Sequence, residues 1–96
     1  MNAVFKMIYD KHVDEFATYL DVRVNDDLIT MTPGNNLLYY EKESKTLVLW
    51  SMDHKRIIHT EKTKQIVKKV YASSINKYFM IGYNKGKLEM RLANNL

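Results

Sequence analysis

Residues 60–76 read TEKTKQIVKKVYASSIN, and the fold predicted for the whole chain depends on their periodicity. Apolar and small side chains recur there at spacings of three and four, which is typical of the buried stripe of an amphipathic helix. At about 100° per residue, one arc holds Ile66, Val67, Val70, Tyr71, Ser74 and Ile75. Thr60 suits an N-cap, and Glu61 suits the positive end of the helix dipole. We therefore predict a helix from about Thr60 to Asn76.

A second helix is predicted at the start of the chain. Residues 2–20 carry apolar side chains at the same three- and four-residue spacing: Phe5, Ile8, Tyr9, Val13, Phe16, Ala17 and Leu20. Asn2 or Asp10 would cap this helix. The alternative is a strand over residues 3–9, with the helix beginning only at Asp10.

Strands are predicted for most of the remaining chain. VRV (22–24) and LITM (28–31) form one kinked strand or two short ones, and TPGNN (32–36) forms a turn. LLYYEK (37–42) and TLVLWSM (46–52) form a hairpin, in which the run 47–50 suits a central strand covered on both faces. RIIH (56–59) is a short strand or the entry to the helix, and KYFMIGYNKGKLEMRL (77–92) is a second hairpin.

The predicted fold class is therefore α+β, in the order α-β-β-β-α-β-β, with two helices packed against an antiparallel sheet. A chain of 96 residues is expected to form one compact domain over residues 1–96. Cysteine is absent, which excludes disulfide bridges and thiolate zinc sites. The sequence shows neither a signal peptide nor an apolar run able to span a membrane, so we expect a cytoplasmic protein without membrane contact.

Charge is distributed unevenly along the chain. Residues 1–53 carry 5 basic and 9 acidic side chains, whereas residues 54–96 carry 10 basic and 2 acidic ones. A net charge of −4 in the first part and +8 in the second is the usual signature of a basic binding face. The alternative is that the charges mix once the chain folds.

The basic residues suggest a nucleic-acid-binding surface. On the predicted helix, two rows of lysines flank shorter polar side chains, a shape that could straddle a phosphate backbone. The hairpin tip NKGK (84–87) would add a second contact. The residues expected to bind DNA or RNA are Lys55, Arg56, Lys62, Lys64, Lys68, Lys69, Lys85, Lys87 and Arg91. Lysines also solvate ordinary surface helices, which is the competing interpretation.

Aromatic residues accompany this basic half. Exposed rings beside lysines form stacking platforms for unpaired bases. The residues concerned are Trp50, Tyr71, Tyr78, Phe79 and Tyr83. Most of them follow the core-facing pattern, so a structural role is favoured for most.

Catalysis and metal binding have little support. His12, His54 and His59 lack the spacing of a metal site, and the chain has no phosphate-binding glycine loop or nucleophile elbow. We expect neither a metal nor a cofactor, and no enzyme activity. A small nuclease built from Asp53, His54, Lys55 and Arg56 is the remaining enzymatic alternative.

A protein partner is the main alternative to nucleic acid. Tyr39 and Tyr40 are adjacent on a strand, so one is expected on each face and one would be an exposed interface residue. Asp26 and Asp27, with nearby acids, would form an anionic face for a protein partner or a head-to-tail homodimer. Such a chain would inhibit or modulate a host enzyme. The competing and favoured interpretation of these acids is an ordinary polar loop.

No motif assigns a family, but two resemblances in element order exist. The order α-β-β-β-α resembles that of double-stranded-RNA-binding domains, which place lysines at the start of the second helix, as TEKTKQIVKK would here. The order β-β-β-α-β-β resembles the double-wing domain of a phage transcription activator, which binds DNA with a sheet. Both resemblances imply nucleic-acid binding. From the charge of residues 54–96 we expect a small basic nucleic-acid-binding protein, an accessory or regulatory factor of the phage type.

Overall fold

The described part of the chain forms two antiparallel sheets and one long helix. The computed structural model describes residues 3–32, 34–72 and 78–92, the side chains of Phe5 and Leu92 excepted. The helical elements are α1 (Ala3–Leu20) and a 3-10 helix (Asp26–Leu28). The strands are β1 (Ile29–Thr32), β2 (Asn36–Glu41), β3 (Thr46–Ser51), β4 (Arg56–Lys62), β5 (Val67–Ala72), β6 (Tyr78–Tyr83) and β7 (Leu88–Leu92). The first sheet has the order β1-β2-β3-β4 and the second has the order β5-β6-β7.

The four-stranded sheet is the middle layer of three. One of its faces packs against the three-stranded sheet through Leu38, Tyr40, Leu47 and Leu49, which join Val70, Phe79 and Ile81 in one core cluster. The other face packs against α1 through Leu37, Tyr39, Val48 and Trp50, which surround Phe16. Consecutive residues of β2 and β3 are therefore buried on opposite faces. The prediction of a central strand covered on both sides at residues 47–50 is confirmed.

Aromatic packing attaches α1 to the sheet. The Phe16 side chain is fully buried, and its ring lies edge-on to Tyr39 and Trp50, with centroid separations of 5.1 and 5.5 Å. Edge-to-face pairs at this distance add to the free energy gained by burying the rings. The first predicted helix is confirmed, and it begins before Asp10, so the alternative of a strand over residues 3–9 is wrong.

The second predicted helix does not form in the part of residues 60–76 that the structure describes. Lys62 ends β4, residues 63–66 form a loop, and β5 follows; residues 73–76 lie outside the described part. The prediction of an α+β fold with two helices and the order α-β-β-β-α-β-β is therefore wrong. Within the described residues the chain is mostly sheet, with a single α-helix and a short 3-10 turn.

A β-bulge at Lys68 explains the error. Val67 lies opposite Tyr83, and Lys69 lies opposite the next residue, Gly82, so Lys68 is an extra residue in β5. The extra residue brings Val67 and Val70, three positions apart, to the same buried face. A regular strand alternates at every second residue, and a spacing of three indicates a helix. The bulge therefore imitates helical periodicity.

Other strand predictions are corrected more locally. Residues 22–24 form no strand, whereas Ile29–Thr32 within and after LITM do. Both predicted hairpins are confirmed as β2–β3 and β6–β7, and RIIH belongs to a strand, β4.

The two resemblances in element order lose their basis, because each required a helix between β4 and β6. Among the described residues, no helix combines the length and apolar character needed to cross a membrane.

Candidate nucleic-acid interface

A basic cleft lies where the β4–β5 loop meets the β6–β7 hairpin. Its volume is about 230 Å³. We call it the basic cleft. It is lined by Glu61, Lys62, Thr63, Lys64, Gln65, Tyr83, Lys87 and Arg91. Four of the nine predicted phosphate contacts thus converge from two segments more than twenty residues apart. The structure brings together Lys62 and Lys64 with Lys87 and Arg91, although neither Lys62 nor Lys64 lies on a helix.

Thr63 fixes the loop that carries Lys62 and Lys64. Its backbone N–H donates to the Lys45 carbonyl oxygen at 2.8 Å, and its hydroxyl donates to the Gln65 carbonyl oxygen at 2.7 Å. The Tyr40 hydroxyl lies 3.4 Å from the same Thr63 oxygen. The loop is thereby held to the β2–β3 turn and closed on itself. These hydrogen bonds fix the backbone positions from which the side chains of Lys62 and Lys64 extend.

The hairpin on the other side of the cleft is held in a similar way. The Tyr83 N–H donates to the Lys87 carbonyl oxygen at 2.8 Å, and the Asn84 N–H donates to the Ile66 carbonyl oxygen at 3.0 Å. The second bond joins the hairpin directly to the β4–β5 loop. Gly86 has a φ of +81°, a conformation that glycine adopts without strain, and the turn requires it. Both walls of the cleft are therefore tied by backbone hydrogen bonds.

An ion-pair network forms the base of the cleft. Arg91 Nη1 lies 2.7 Å from Glu61 Oε2, and Arg91 Nη2 donates to Glu89 Oε1 at 2.9 Å. The Tyr83 hydroxyl donates to the same Glu89 oxygen at 2.8 Å. The guanidinium is therefore shared between carboxylates of two different sheets, and its side chain is only 19% exposed. Arg91, which the sequence predicted as a phosphate contact, joins the two sheets through these ion pairs.

The pKa values of this network follow from those contacts. Partial burial, the hydrogen bond to Glu89 and the charge of that carboxylate raise the pKa of Tyr83 to about 12. Partial burial opposes ionisation of Glu89, but the hydrogen bonds from Tyr83 and Arg91 outweigh it and lower the pKa of Glu89. Burial likewise opposes the charge of Arg91, whereas its hydrogen bonds to Glu61 and Glu89 prevail and raise its pKa. At neutral pH Tyr83 is therefore a neutral donor, and Glu89 and Arg91 are charged.

Three lysines supply the unneutralised charge of the cleft. Lys62, Lys64 and Lys87 are exposed, and within the described residues none is in a salt bridge. Lys87 Nζ lies 5.6 Å from the centre of the Tyr83 ring, at a distance suited to a cation–π contact. The amide of Gln65 adds a polar group to the lining. This set of side chains is suited to binding phosphate oxygens.

The other predicted phosphate contacts lie outside the cleft. Lys55 Nζ is 3.6 Å from Glu15, and Lys69 Nζ is 3.8 Å from Asp27, so acids of the first half partly neutralise both. For Lys55 and Lys69, the alternative stated above is therefore correct: basic residues of the second half lie beside acidic residues of the first half in the folded chain. The remaining three contacts are exposed at the start of β4, in the bulge and in the hairpin turn: Arg56, Lys68 and Lys85.

A larger groove of about 850 Å³ runs beside α1, but its charge does not suit an anion. Asp10, Asp14 and Glu15 contribute three carboxylates to its lining, against the two cations of Lys11 and Lys55. A polyanion would be repelled there more than attracted. The smaller basic cleft is therefore the better candidate.

The aromatic residues of the basic half divide into two groups. Trp50 and Phe79 are buried in the two core clusters, and Tyr83 is half-buried at the cleft. Tyr71 and Tyr78 are each 39% exposed on the three-stranded sheet. A structural role for most of the rings is thus correct, and two rings remain accessible to a partner.

The expectation that Tyr39 or Tyr40 is exposed is wrong. Tyr39 is 5% exposed and Tyr40 is fully buried, because the four-stranded sheet is covered on both faces. Asp26 and Asp27 are exposed on the 3-10 helix, as an anionic face would require, although Asp27 lies near Lys69.

The residues considered for a metal site or a nuclease lie apart from the cleft. Asp53, His54 and Lys55 are exposed in the turn between β3 and β4. The described residues contain no group of three His, Cys, Asp or Glu side chains placed to hold a metal ion.

Comparisons with protein-family models, with curated proteins and with solved structures gave no match. Sequence reasoning missed Thr63 and the role of Tyr83 in the cleft. Neither belongs to a motif, and only the packing of the loop against the hairpin gives them a role.

Proposed function

We propose that the chain is a small, non-enzymatic protein that binds nucleic acid by its phosphates, with the basic cleft as the primary contact. The observation that supports this proposal is the convergence of Lys62, Lys64 and Lys87 on a single cleft. They come from two segments that are hydrogen-bonded to each other. Each lysine that contacts a phosphate releases condensed counterions, which favours binding.

The size of the cleft favours phosphate over an enclosed small ligand. Sites that bury a small molecule usually have volumes of about 300–1,000 Å³ and mostly apolar walls. The basic cleft, at about 230 Å³, is smaller and is lined mainly by charged and polar side chains. A phosphate group within a nucleic-acid strand does not have to be enclosed, so a small cleft that contacts it from one side is sufficient. A polymer could then extend beyond the cleft to Lys85 and Lys68, which are exposed.

The lining also favours binding with little sequence preference. The commonest specific contact to a guanine is a bidentate arginine, and Arg91 is occupied by Glu61 and Glu89. Lysines act as point charges and distinguish bases poorly. We therefore expect affinity that depends strongly on salt and weakly on sequence. An accessory or regulatory role on DNA or RNA fits this behaviour.

The test is a fluorescence-anisotropy titration of labelled DNA and RNA with the wild-type protein and two triple variants. Lys62→Glu, Lys64→Glu and Lys87→Glu together reverse the charge of the cleft. Lys6→Glu, Lys11→Glu and Arg23→Glu together change the net charge equally but lie in or beside the α1 layer. We expect the cleft variant to lose most of the affinity at low salt and the control to retain most of it. Equal losses in both would show that only net charge matters and would contradict the proposal.

A modulator of a host enzyme is the second candidate that the sequence raised. Its expected tyrosine anchor is buried, and the anionic residues Asp26 and Asp27 remain its only expected contacts. The basic cleft gives the nucleic-acid proposal the stronger support. A stoichiometric protein partner recovered from nuclease-treated lysate, together with no binding to DNA or RNA, would reverse this order.

A further inference from the structure

The outer face of the three-stranded sheet is uncovered by the described part of the chain. Phe79 and Ile81 of β6 point into the core between the sheets, so strand alternation directs Tyr78, Met80 and Gly82 outward. The strand register adds neighbours on β5 and β7 to this face. The outer face therefore comprises Lys69, Tyr71, Tyr78, Met80, Gly82, Leu88 and Met90.

This face is apolar and accessible. Leu88 and Met90 are each 63% exposed, and Tyr71 and Tyr78 are each 39% exposed. A Cβ atom at Gly82 would lie 3.6 Å from both Tyr71 Cε2 and Leu88 Cδ2, so these two side chains close over the glycine. Contiguous apolar surface of this kind is usually a binding surface.

The charge around the face indicates the kind of partner. None of its described outward positions carries a carboxylate, although Asp27 of the 3-10 helix lies 3.8 Å from Lys69 Nζ. Lys69 Nζ also lies 5.1 Å from the centre of the Tyr71 ring. Lys85 and Lys87 stand at the hairpin end of the same sheet, in the half of the chain with a net charge of +8. A second copy bound face to face would bring two such basic halves together, which is unfavourable. A polyanion with flat apolar groups complements the face better.

Single-stranded nucleic acid has that combination. Unpaired bases stack on aromatic side chains, whereas the bases of a duplex are already stacked on each other. Tyr71 lies opposite Met80, and Tyr78 is two residues from Met80, so the two tyrosines are diagonal neighbours about 7–8 Å apart. That is about twice the 3.4 Å rise per nucleotide of a stacked strand. Two bases of one strand can therefore reach both rings.

We infer that the outer face binds single-stranded DNA or RNA by stacking bases on Tyr71 and Tyr78, and this inference rests on the proposed function. The phosphates of the same strand run toward Lys85 and Lys87 at the hairpin end of the sheet. The basic cleft then supplies salt-dependent affinity, and the outer face supplies preference for unpaired bases.

The experiment compares one labelled DNA strand, the RNA of the same sequence, and each strand annealed to its complement. Tyr71→Ala and Tyr78→Ala are each expected to weaken single-strand binding by roughly 5- to 150-fold, the usual effect of losing one base–aromatic stack. Duplex binding and the salt slope should change little. Tyr71→Phe and Tyr78→Phe should retain binding, and Tyr19→Ala, at an exposed tyrosine of α1, is the matched control.

If an alanine variant unfolds, Met90→Glu tests the same face. This variant is expected to fold, because Met90 is exposed and both tyrosine rings are kept. It should also weaken single-strand binding, since it places a negative charge where the strand would lie. Equal binding of single strands and duplexes, unchanged by these variants, would overturn the inference and leave the proposed function standing. A wild-type dimer that Met90→Glu disrupts would assign the face to self-association and overturn it as well. No binding to any probe at low salt would overturn both.

Discussion

Arg91 Nη1 lies 2.7 Å from Glu61 Oε2, and this ion pair joins the edge strand β7 of one sheet to the edge strand β4 of the other. The side chains are 19% and 34% exposed, so solvent screens the pair less than it screens a surface salt bridge. Arg91 also holds Glu89, on its own strand. One arginine thus links the two sheets at the base of the basic cleft.

Replacing Arg91 with Ala should therefore destabilise the protein. The change leaves two partly buried carboxylates without their cation, and we expect a loss of about 1–3 kcal/mol in the free energy of unfolding. Urea denaturation of the wild type and the variant measures this. Arg56→Ala, at an exposed arginine, is the control and should lie within about 0.5 kcal/mol of the wild type. Equal effects of the two substitutions would argue against a structural role for Arg91.

Tyr83 should make the protein sensitive to alkali. Its folded pKa is about 12, above the ordinary value of 10.0, so the folded state holds the phenolic proton more tightly than the unfolded state does. The resulting stability is complete below pH 10 and is lost as the pH rises toward 12. Tyr83→Phe should therefore lose less unfolding free energy than the wild type across this interval. Denaturation series from pH 9 to pH 12 compare them, and parallel curves would refute the contribution of Tyr83.

The bulge at Lys68 provides a test of the strand assignment. Deleting one lysine of the pair Lys68–Lys69 leaves Val67, a lysine, Val70 and Tyr71 in regular alternation, with both valines still facing the core. We expect a folded protein with a cost in unfolding free energy within the range of about 0.5–3 kcal/mol common to single mutations. Deleting Met80 from the central strand β6 is the control, because it turns either Phe79 or Ile81 outward and should prevent folding. Circular dichroism and thermal melting distinguish the two. If residues 60–72 were helical, the lysine deletion would rotate the core-facing stripe and disrupt the fold.

The same bulge shows which parts of the fold could be predicted from the sequence. The β2–β3 and β6–β7 hairpins were predictable because their turns are short and because each strand shows either a continuous apolar run or, in β7, strict alternation of apolar and charged residues. Residues 60–72 were not, because the extra residue gives Val67 and Val70 the spacing of a helix. Tyr39 and Tyr40 were assigned to opposite faces correctly, but the sequence does not show that α1 and the second sheet cover both.

The candidate site was predictable only in part. The positive charge of residues 54–96 was sufficient to predict Lys62, Lys64 and Lys87 as individual phosphate contacts. That prediction does not depend on the secondary structure, so the wrong helix did not affect it. Their meeting in one cleft depends on contacts between the β4–β5 loop and the hairpin, such as the bond from Asn84 to Ile66. Contacts so distant in sequence leave no periodic signal.

Thr63 should act as a positioning residue for the cleft. Thr63→Val keeps the branched side chain and the backbone bond to Lys45 but removes the hydroxyl that bonds to Gln65. Losing the hydroxyl, with its bond to Gln65 and its longer contacts with the Lys45 carbonyl oxygen and the Tyr40 hydroxyl, should lower nucleic-acid affinity by about 2- to 10-fold. The salt slope should not change, because no charge is lost. Thr60→Val, at an exposed threonine of β4, is the matched control. A changed salt slope, or equal effects of the two variants, would show that Thr63 does not position the lysines of the cleft.

The most direct test of the central claim is the dependence of affinity on salt. The slope of log K against log salt concentration counts the phosphates that are neutralised, at about 0.9 per contact for duplex DNA and about 0.7 for single strands. Replacing Lys62, Lys64 and Lys87 together by Gln should reduce the magnitude of the slope by about 2–3, and replacing Lys6, Lys11 and Arg23 by Gln should leave it unchanged. An unchanged slope in the cleft variant would show that the cleft does not bind phosphate and would contradict the account.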